Sequence, residues 1–172
     1  MSLERSPTPS PERAPPGFVA DDFATSQAAV SAALATVFRG KFCEAILPSR
    51  NAKSFERNEV LYDIGGRDRT FFFLQAGFVK VGAVTAEGRE LIYDVRSGKD
   101  VVGELCLSEV RRPDRAVALE HTEAVAVPRD EVMEVLRRRP ELFSRLIDVL
   151  GHALVEAYEQ VNTLATDHWR RG

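Results

Sequence analysis

Thr70-Phe-Phe-Phe-Leu-Gln-Ala-Gly-Phe-Val-Lys-Val-Gly-Ala-Val84 is the stretch on which the class of fold turns. It holds two apolar runs, Thr70–Leu74 and Phe78–Val84, each short and rich in aromatic and β-branched side chains. Such runs form strands more readily than helices, and Ala76-Gly77 between them supplies a turn. Further short runs lie on either side, at Val60–Ile64, Leu91–Val95, Val101–Val102, Ala116–Leu119 and Ala124–Val127. Gly65-Gly66, Glu87-Gly88, Ser97-Gly98 and Arg112-Pro113 punctuate them. Many short strands with turns at near-regular spacing imply an antiparallel sandwich or roll.

The period changes at both ends of this block. Phe23, Val30, Leu34, Val37, Phe38, Phe42 and Ile46 recur at helical spacing, with Gly40 and Pro48 as breaks, and predict two short helices. Beyond Pro128, Arg129–Arg138 reads as one helix and Glu141–His168 as a long one, with Pro140 tolerated in its first turn. Helices, many strands, then helices again is an α+β order. Residues 1–17 carry repeated prolines and little to bury, and are expected to form a disordered or extended tail.

Composition limits the function. The 172 residues fit one domain with tails, and a hydrophobic fraction of 44% is enough for a packed core. A net charge of −3 lacks the basic excess of a nucleic-acid-binding domain, so no nucleic acid contact is expected from this chain. No apolar run is long enough to span a bilayer and the start is no secretory signal, so a cytoplasmic location without membrane contact is expected. Cys43 and Cys106 lie apart among apolar residues and predict reduced, buried thiols. His121, His152 and His168 do not form a metal set, and no nucleophile–base pair or catalytic carboxylate pair is present. The chain therefore reads as a binding protein rather than an enzyme, with no metal and no resident cofactor.

The ordered motifs resemble the cyclic-nucleotide-binding domain of Crp/Fnr-type regulators. Asp63-Ile-Gly-Gly66 and Leu74-Gln-Ala-Gly-Phe-Val-Lys-Val81 match the family's glycine turns, and Glu87-Gly-Arg-Glu-Leu-Ile92 its next hairpin. Gly98-Lys-Asp-Val-Val-Gly-Glu-Leu-Cys-Leu107 is similar to the opening of the phosphate-binding cassette. Ala118–Pro128 is similar to the last two strands. The resemblance covers roughly Leu34 to Ala165. It implies an α+β domain built on an antiparallel β-roll of jelly-roll type, flanked by short N-terminal helices and one long C-terminal helix. The implied division is a tail over 1–17, a sensor domain over 18–139 and a dimerisation helix over 140–172.

The resemblance also implies a ligand: cAMP, cGMP or cyclic-di-GMP. A cyclic phosphate calls for backbone amides and a bidentate arginine, and its ribose hydroxyl calls for a carboxylate. Gly103 permits close backbone approach, Glu104 matches the ribose-binding glutamate, and Leu105 and Leu107 lie beneath as core. Two alignments compete for the arginine. Strand register favours Arg112, at the cost of Pro113 and Asp114 in place of two small residues, one lacking an amide and one adding like charge. Arg115 followed by Ala116 instead preserves the arginine–small pair. Arg111-Arg-Pro-Asp114 also fits an RxxD pattern suited to cyclic-di-GMP.

In this family the long helix forms a homodimer interface and closes over the base. Phe143, Leu146, Leu150, Ala153, Ala157, Val161, Leu164 and His168 step by three or four residues and predict the seam. Tyr158 stands near the positions where cAMP receptors place small hydroxyl residues, and is expected to stack or donate instead. Related transcription factors continue into a helix-turn-helix, whereas this sequence stops at Gly172. It is expected to be either a stand-alone sensor acting on a protein partner or the sensor fragment of a longer regulator. An interaction module that has lost its ligand is the rival expectation.

Overall fold

The computed structural model describes residues 20–108 and 110–170; the expected tail over 1–17 lies outside them. Helices α1 (Ala20–Val37) and α2 (Lys41–Ile46) precede eight strands. These are β1 (Lys53–Phe55), β2 (Val60–Tyr62), β3 (Thr70–Ala76), β4 (Phe78–Val84), β5 (Glu90–Ser97), β6 (Val101–Val102), β7 (Arg115–Ala118) and β8 (Thr122–Pro128). A single 3₁₀ turn, Glu104–Leu107, follows β6, and helices α3 (Arg129–Arg138) and α4 (Pro140–Arg170) close the order. The strands form two four-stranded sheets, β1-β8-β3-β6 and β2-β7-β4-β5, with every pairing antiparallel. This is the expected α+β roll with its flanking helices.

β3 explains why its sequence is an unbroken apolar run. Side chains alternate across a strand, and β3 is covered on both faces. Phe71 and Phe73 face a helical layer that includes Leu34, Phe38, Phe42, Leu136 and Leu146. Phe72 and Leu74 face the roll interior with Tyr62, Val79, Val81, Ala116 and Ala118. Aromatic rings connect the layers: Phe38 meets Phe71 edge-on at 5.1 Å, and Tyr62 stacks on Phe72 at 6.1 Å. The molecule thus has two cores separated by one sheet.

Three expectations need correction. α1 spans 18 residues and is not short; only α2 is. β1 was not expected, because only Phe55 of its three residues is buried and no apolar run marks it. Cys43 is half-buried rather than buried, with its thiol on the Phe38 carbonyl, whereas Cys106 lies in the core. Burial pushes the Cys106 thiol up to about 11.

The seam expected on α4 also divides. Leu142 and Leu146 are buried against the protein's own core, with Val149 beside them. Phe143, Ile147, Leu150, Leu154 and Val161 form a separate, exposed stripe with steps of four, three, four and seven. Neighbouring residues on a helix point about 100° apart, so Leu146 and Ile147 cannot share a face. The side chains of Leu164 and His168 lie outside the described residues. Among the described residues, no helix is long and apolar enough to cross a membrane.

Candidate functional site

Among the described residues, four charged side chains are buried: Arg96, Glu104, Arg112 and Asp114, each 2% exposed. All four converge on one region of the roll, between β2, β5, the 3₁₀ turn and the segment leading into β7. A charge in a low-dielectric interior is costly unless it is paired, so this concentration needs a purpose.

Gly103 opens the 3₁₀ turn at φ 86°, in the left-handed region that suits glycine. A Cβ there would stand 2.8 Å from the Arg112 Nη1 and 2.8 Å from the Thr70 carbonyl oxygen. The absent side chain is the space that the Arg112 guanidinium fills. Arg112 Nη1 donates to the Gly103 carbonyl at 3.0 Å. Its Nη2 donates to Asp68 Oδ2 at 2.7 Å and to the Thr70 carbonyl at 2.5 Å. The guanidinium carbon lies 4.2 Å from the Tyr62 ring centroid, in cation–π contact. The Arg112 backbone is fixed as well: its N–H donates to the Gly66 carbonyl, and its own carbonyl accepts from Gly65, both at 2.8 Å. Burial is the largest influence on the guanidinium and pulls its pKa down, but the hydrogen bond and charge of Asp68, with Cys106 and Tyr62 adding to them, together raise it and the group stays charged.

Glu104 turns to the other side of the turn. Its Oε1 accepts from Arg96 Nη1 at 2.7 Å and from the Ser31 hydroxyl of α1 at 2.5 Å. Arg96 Nη2 donates to the same hydroxyl at 2.9 Å. Burial acts against the charge of Arg96, but Glu104 and Asp94 together more than restore it. The carboxylate expected at the ligand's ribose is therefore also the anchor between α1 and the 3₁₀ turn. Arg69 and Arg129 secure the far end of that turn by donating to the Cys106 and Leu107 carbonyls.

Asp114 feels the charge of both Arg96 and Arg112 but bonds to neither. Among the described residues, its Oδ2 accepts only from the Tyr62 hydroxyl, at 3.4 Å, and its buried Oδ1 has no hydrogen-bond partner. Burial, reinforced by the charge of Glu104, pushes its pKa up to about 7. Arg112 Nε and the Tyr93 hydroxyl are likewise buried without a partner. Burial, with the Asp114 charge adding to it, pushes the Tyr93 phenol up to about 12.

The residues singled out from sequence separate into two groups. Gly103, Glu104 and Arg112 come together. Ala116 faces the roll interior, and Leu105 and Leu107 sit in the helix-side core. Arg115 precedes Ala116 on β7 and so faces the other way; its Nε lies 3.4 Å from Asp63 in the turn after β2. Of the two competing arginines, the one beside Gly103 is Arg112. Tyr158 is 63% exposed on α4 and does not join the cluster. The RxxD pattern is split, because Arg111 is exposed whereas Asp114 is buried. Tyr62, Asp68, Tyr93, Arg96 and Ser31 were missed by the sequence reading.

A profile of the family described as cyclic nucleotide-binding domain matches residues 52–139, just over half of the chain. The chain belongs to this family, in its Crp/Fnr-type branch. The global nitrogen regulator of Nostoc sp. is 30% identical to this Crp/Fnr-type chain over 136 residues, covering 77% of it and 60% of the relative. The CRP-like cAMP-activated global transcriptional regulator of Mycobacterium tuberculosis is 27% identical over 101 residues, 58% of this chain and 45% of that protein. The catabolite activator protein of Thermus thermophilus shares the fold, with a TM-score of 0.62 at 23% identity over 75% of this chain and 62% of its own. The Crp/Fnr-type chain described here spans about half of the length of the curated relatives it matches.

Proposed function

We propose that this chain is the sensor part of a regulator, in which a small molecule enters the roll beside Arg112 and alters how the helical layer packs. The observation that carries this reading is Arg112 itself. Its guanidinium is buried, held by three acceptors, and still has a buried Nε without a partner, in a region that also holds an unpartnered Asp114 oxygen and Tyr93 hydroxyl. Polar atoms in a packed interior are almost always satisfied, and a cluster of exceptions is a mark of a binding site. Cyclic nucleotides lead the ligand candidates: the family match points to them, and the mycobacterial relative is named as cAMP-activated. Cyclic-di-GMP follows, although the split RxxD pattern weighs against it. Gly103, Glu104, Arg112 and Ala116 remain the binding residues of this reading, and Leu105 supports them from the helix-side core. Tyr158 and Arg115 join only through rearrangement or a second copy.

The relatives named here are regulators rather than enzymes, which supports binding without turnover. A cytoplasmic location suits that role. The exposed stripe on α4 supports a homodimer, since a row of large apolar side chains at heptad spacing is unfavourable in water. A rival reading has a specific observation behind it. Asp68 already occupies Arg112 and Asp114 stands where an anion would approach, which favours an interaction module that has lost its ligand. Calorimetric titration with cAMP, cGMP and cyclic-di-GMP separates the two. The sensor reading expects saturable heat from at least one nucleotide, weakened at least about tenfold by Arg112→Lys, a loss of about 1.4 kcal/mol. No heat from any of the three favours the rival.

A further inference from the structure

The inference rests on the sensor reading and concerns what the roll demands of its ligand. The buried charges do not form an anion site as they stand. Arg96 and Arg112 are balanced by Glu104 and Asp114, and each arginine has an additional carboxylate on it, Asp94 and Asp68 respectively. An anion entering here meets no net positive charge while Asp114 is ionised. It does meet three buried polar atoms without partners: Arg112 Nε, Asp114 Oδ1 and the Tyr93 hydroxyl.

The geometry points to proton-coupled anion binding: the roll takes up an anionic group together with one proton, which Asp114 receives. The titratable and charged groups around Asp114 are Tyr62 from β2, Tyr93 and Arg96 from β5, Glu104 from the 3₁₀ turn and Arg112 from its own segment. The arginines direct their hydrogen bonds to other acceptors, and Glu104 adds like charge. Tyr62 gives only a long bond. An ionised carboxylate so placed lacks the partners that a buried charge requires.

Protonation changes the character of the site. The proton comes from solvent and goes to an oxygen of Asp114; no other bond is made or broken. The carboxyl then becomes a hydrogen-bond donor. Arg112 Nε, the Asp114 O–H and the Tyr93 O–H are donors of the kind a phosphate oxygen accepts. With the carboxylate ionised, one of these donors becomes an acceptor bearing negative charge. The shift of Asp114 to about 7 sets the window in which the change occurs. A group that must be protonated in the complex makes affinity fall tenfold per pH unit above its pKa in the free protein.

Cyclic AMP is a suitable probe, because its phosphodiester carries one fixed negative charge at neutral pH. It is titrated calorimetrically into the full chain at pH 6 and pH 8, in two buffers of different ionisation enthalpy. Asp114→Asn and Asp114→Ser are measured in parallel, the second guarding against misfolding of the first. The expected Kd is about tenfold weaker at pH 8, with close to one proton taken up per ligand bound at that pH, and both variants lose the pH dependence and the uptake. Wild-type binding that is equal at both pH values, without proton uptake, overturns the coupling and leaves the sensor reading standing. Retention of the pH dependence in both variants overturns the role of Asp114. No heat from the wild type or either variant overturns anion binding in the roll, and the cyclic-phosphate form of the sensor reading falls with it.

Discussion

Arg96 spreads its guanidinium over four acceptors, from Ser31, Asp94, Val101 and Glu104. Of these the Glu104 contact is a buried ion pair, and its value lies less in net attraction than in what its loss would leave behind. Replacing Glu104 with alanine leaves a buried guanidinium short of its counter-charge and removes a partner from Ser31. Urea denaturation is expected to show a loss of about 3–5 kcal/mol for Glu104→Ala. A loss below about 1 kcal/mol would mean that the carboxylate is free of Arg96 in solution. Gly103, Glu104 and Arg112 were legible in the sequence because they belong to one short segment with a family pattern. Ser31, Asp68 and Arg96 were not. Ser31 reaches Glu104 across 73 residues, Arg96 reaches Ser31 across 65 and Arg112 reaches Asp68 across 44. A single chain carries no local signal for such pairs: an arginine in a strand reads as an exposed residue until its neighbours are known.

At the scale of elements, strands were easier to read than helix faces. β3 and β4 declare themselves by apolar runs and a glycine turn, and β8 by a run ending at Pro128. β1 has one buried residue in three and offers no such signal. On α4 the type and length of the helix were plain, but it carries two neighbouring apolar stripes. Helical spacing alone cannot tell the one that faces Phe71 and Phe73 from the one that faces solvent. The exposed stripe gives a test. Leu154 lies on it, away from the protein's own core, so Leu154→Glu has little to disturb within one chain. In a homodimer it would bury a charge at the seam. Sedimentation is expected to find wild-type dimers and a Leu154→Glu monomer at the same concentration, with the monomer's secondary structure unchanged. A wild-type monomer at high micromolar concentration would contradict the homodimer.

Across the whole molecule, the 3₁₀ turn is the point where the roll interior meets the helical layer. Its first residue, Glu104, holds α1 through Ser31, and Leu105, Cys106 and Leu107 pack into the core shared with Leu142 and Leu146 of α4. Arg112, through Gly103, ties the same turn to the buried polar cluster. A ligand that rearranges this cluster bears directly on the helices, provided that it binds one arrangement more tightly than the other. The most direct test is backbone hydrogen exchange at pH 6 with and without saturating cyclic AMP. The account predicts slower exchange over 101–107, accompanied by a change in α1 and α4. Identical exchange throughout the chain would contradict it.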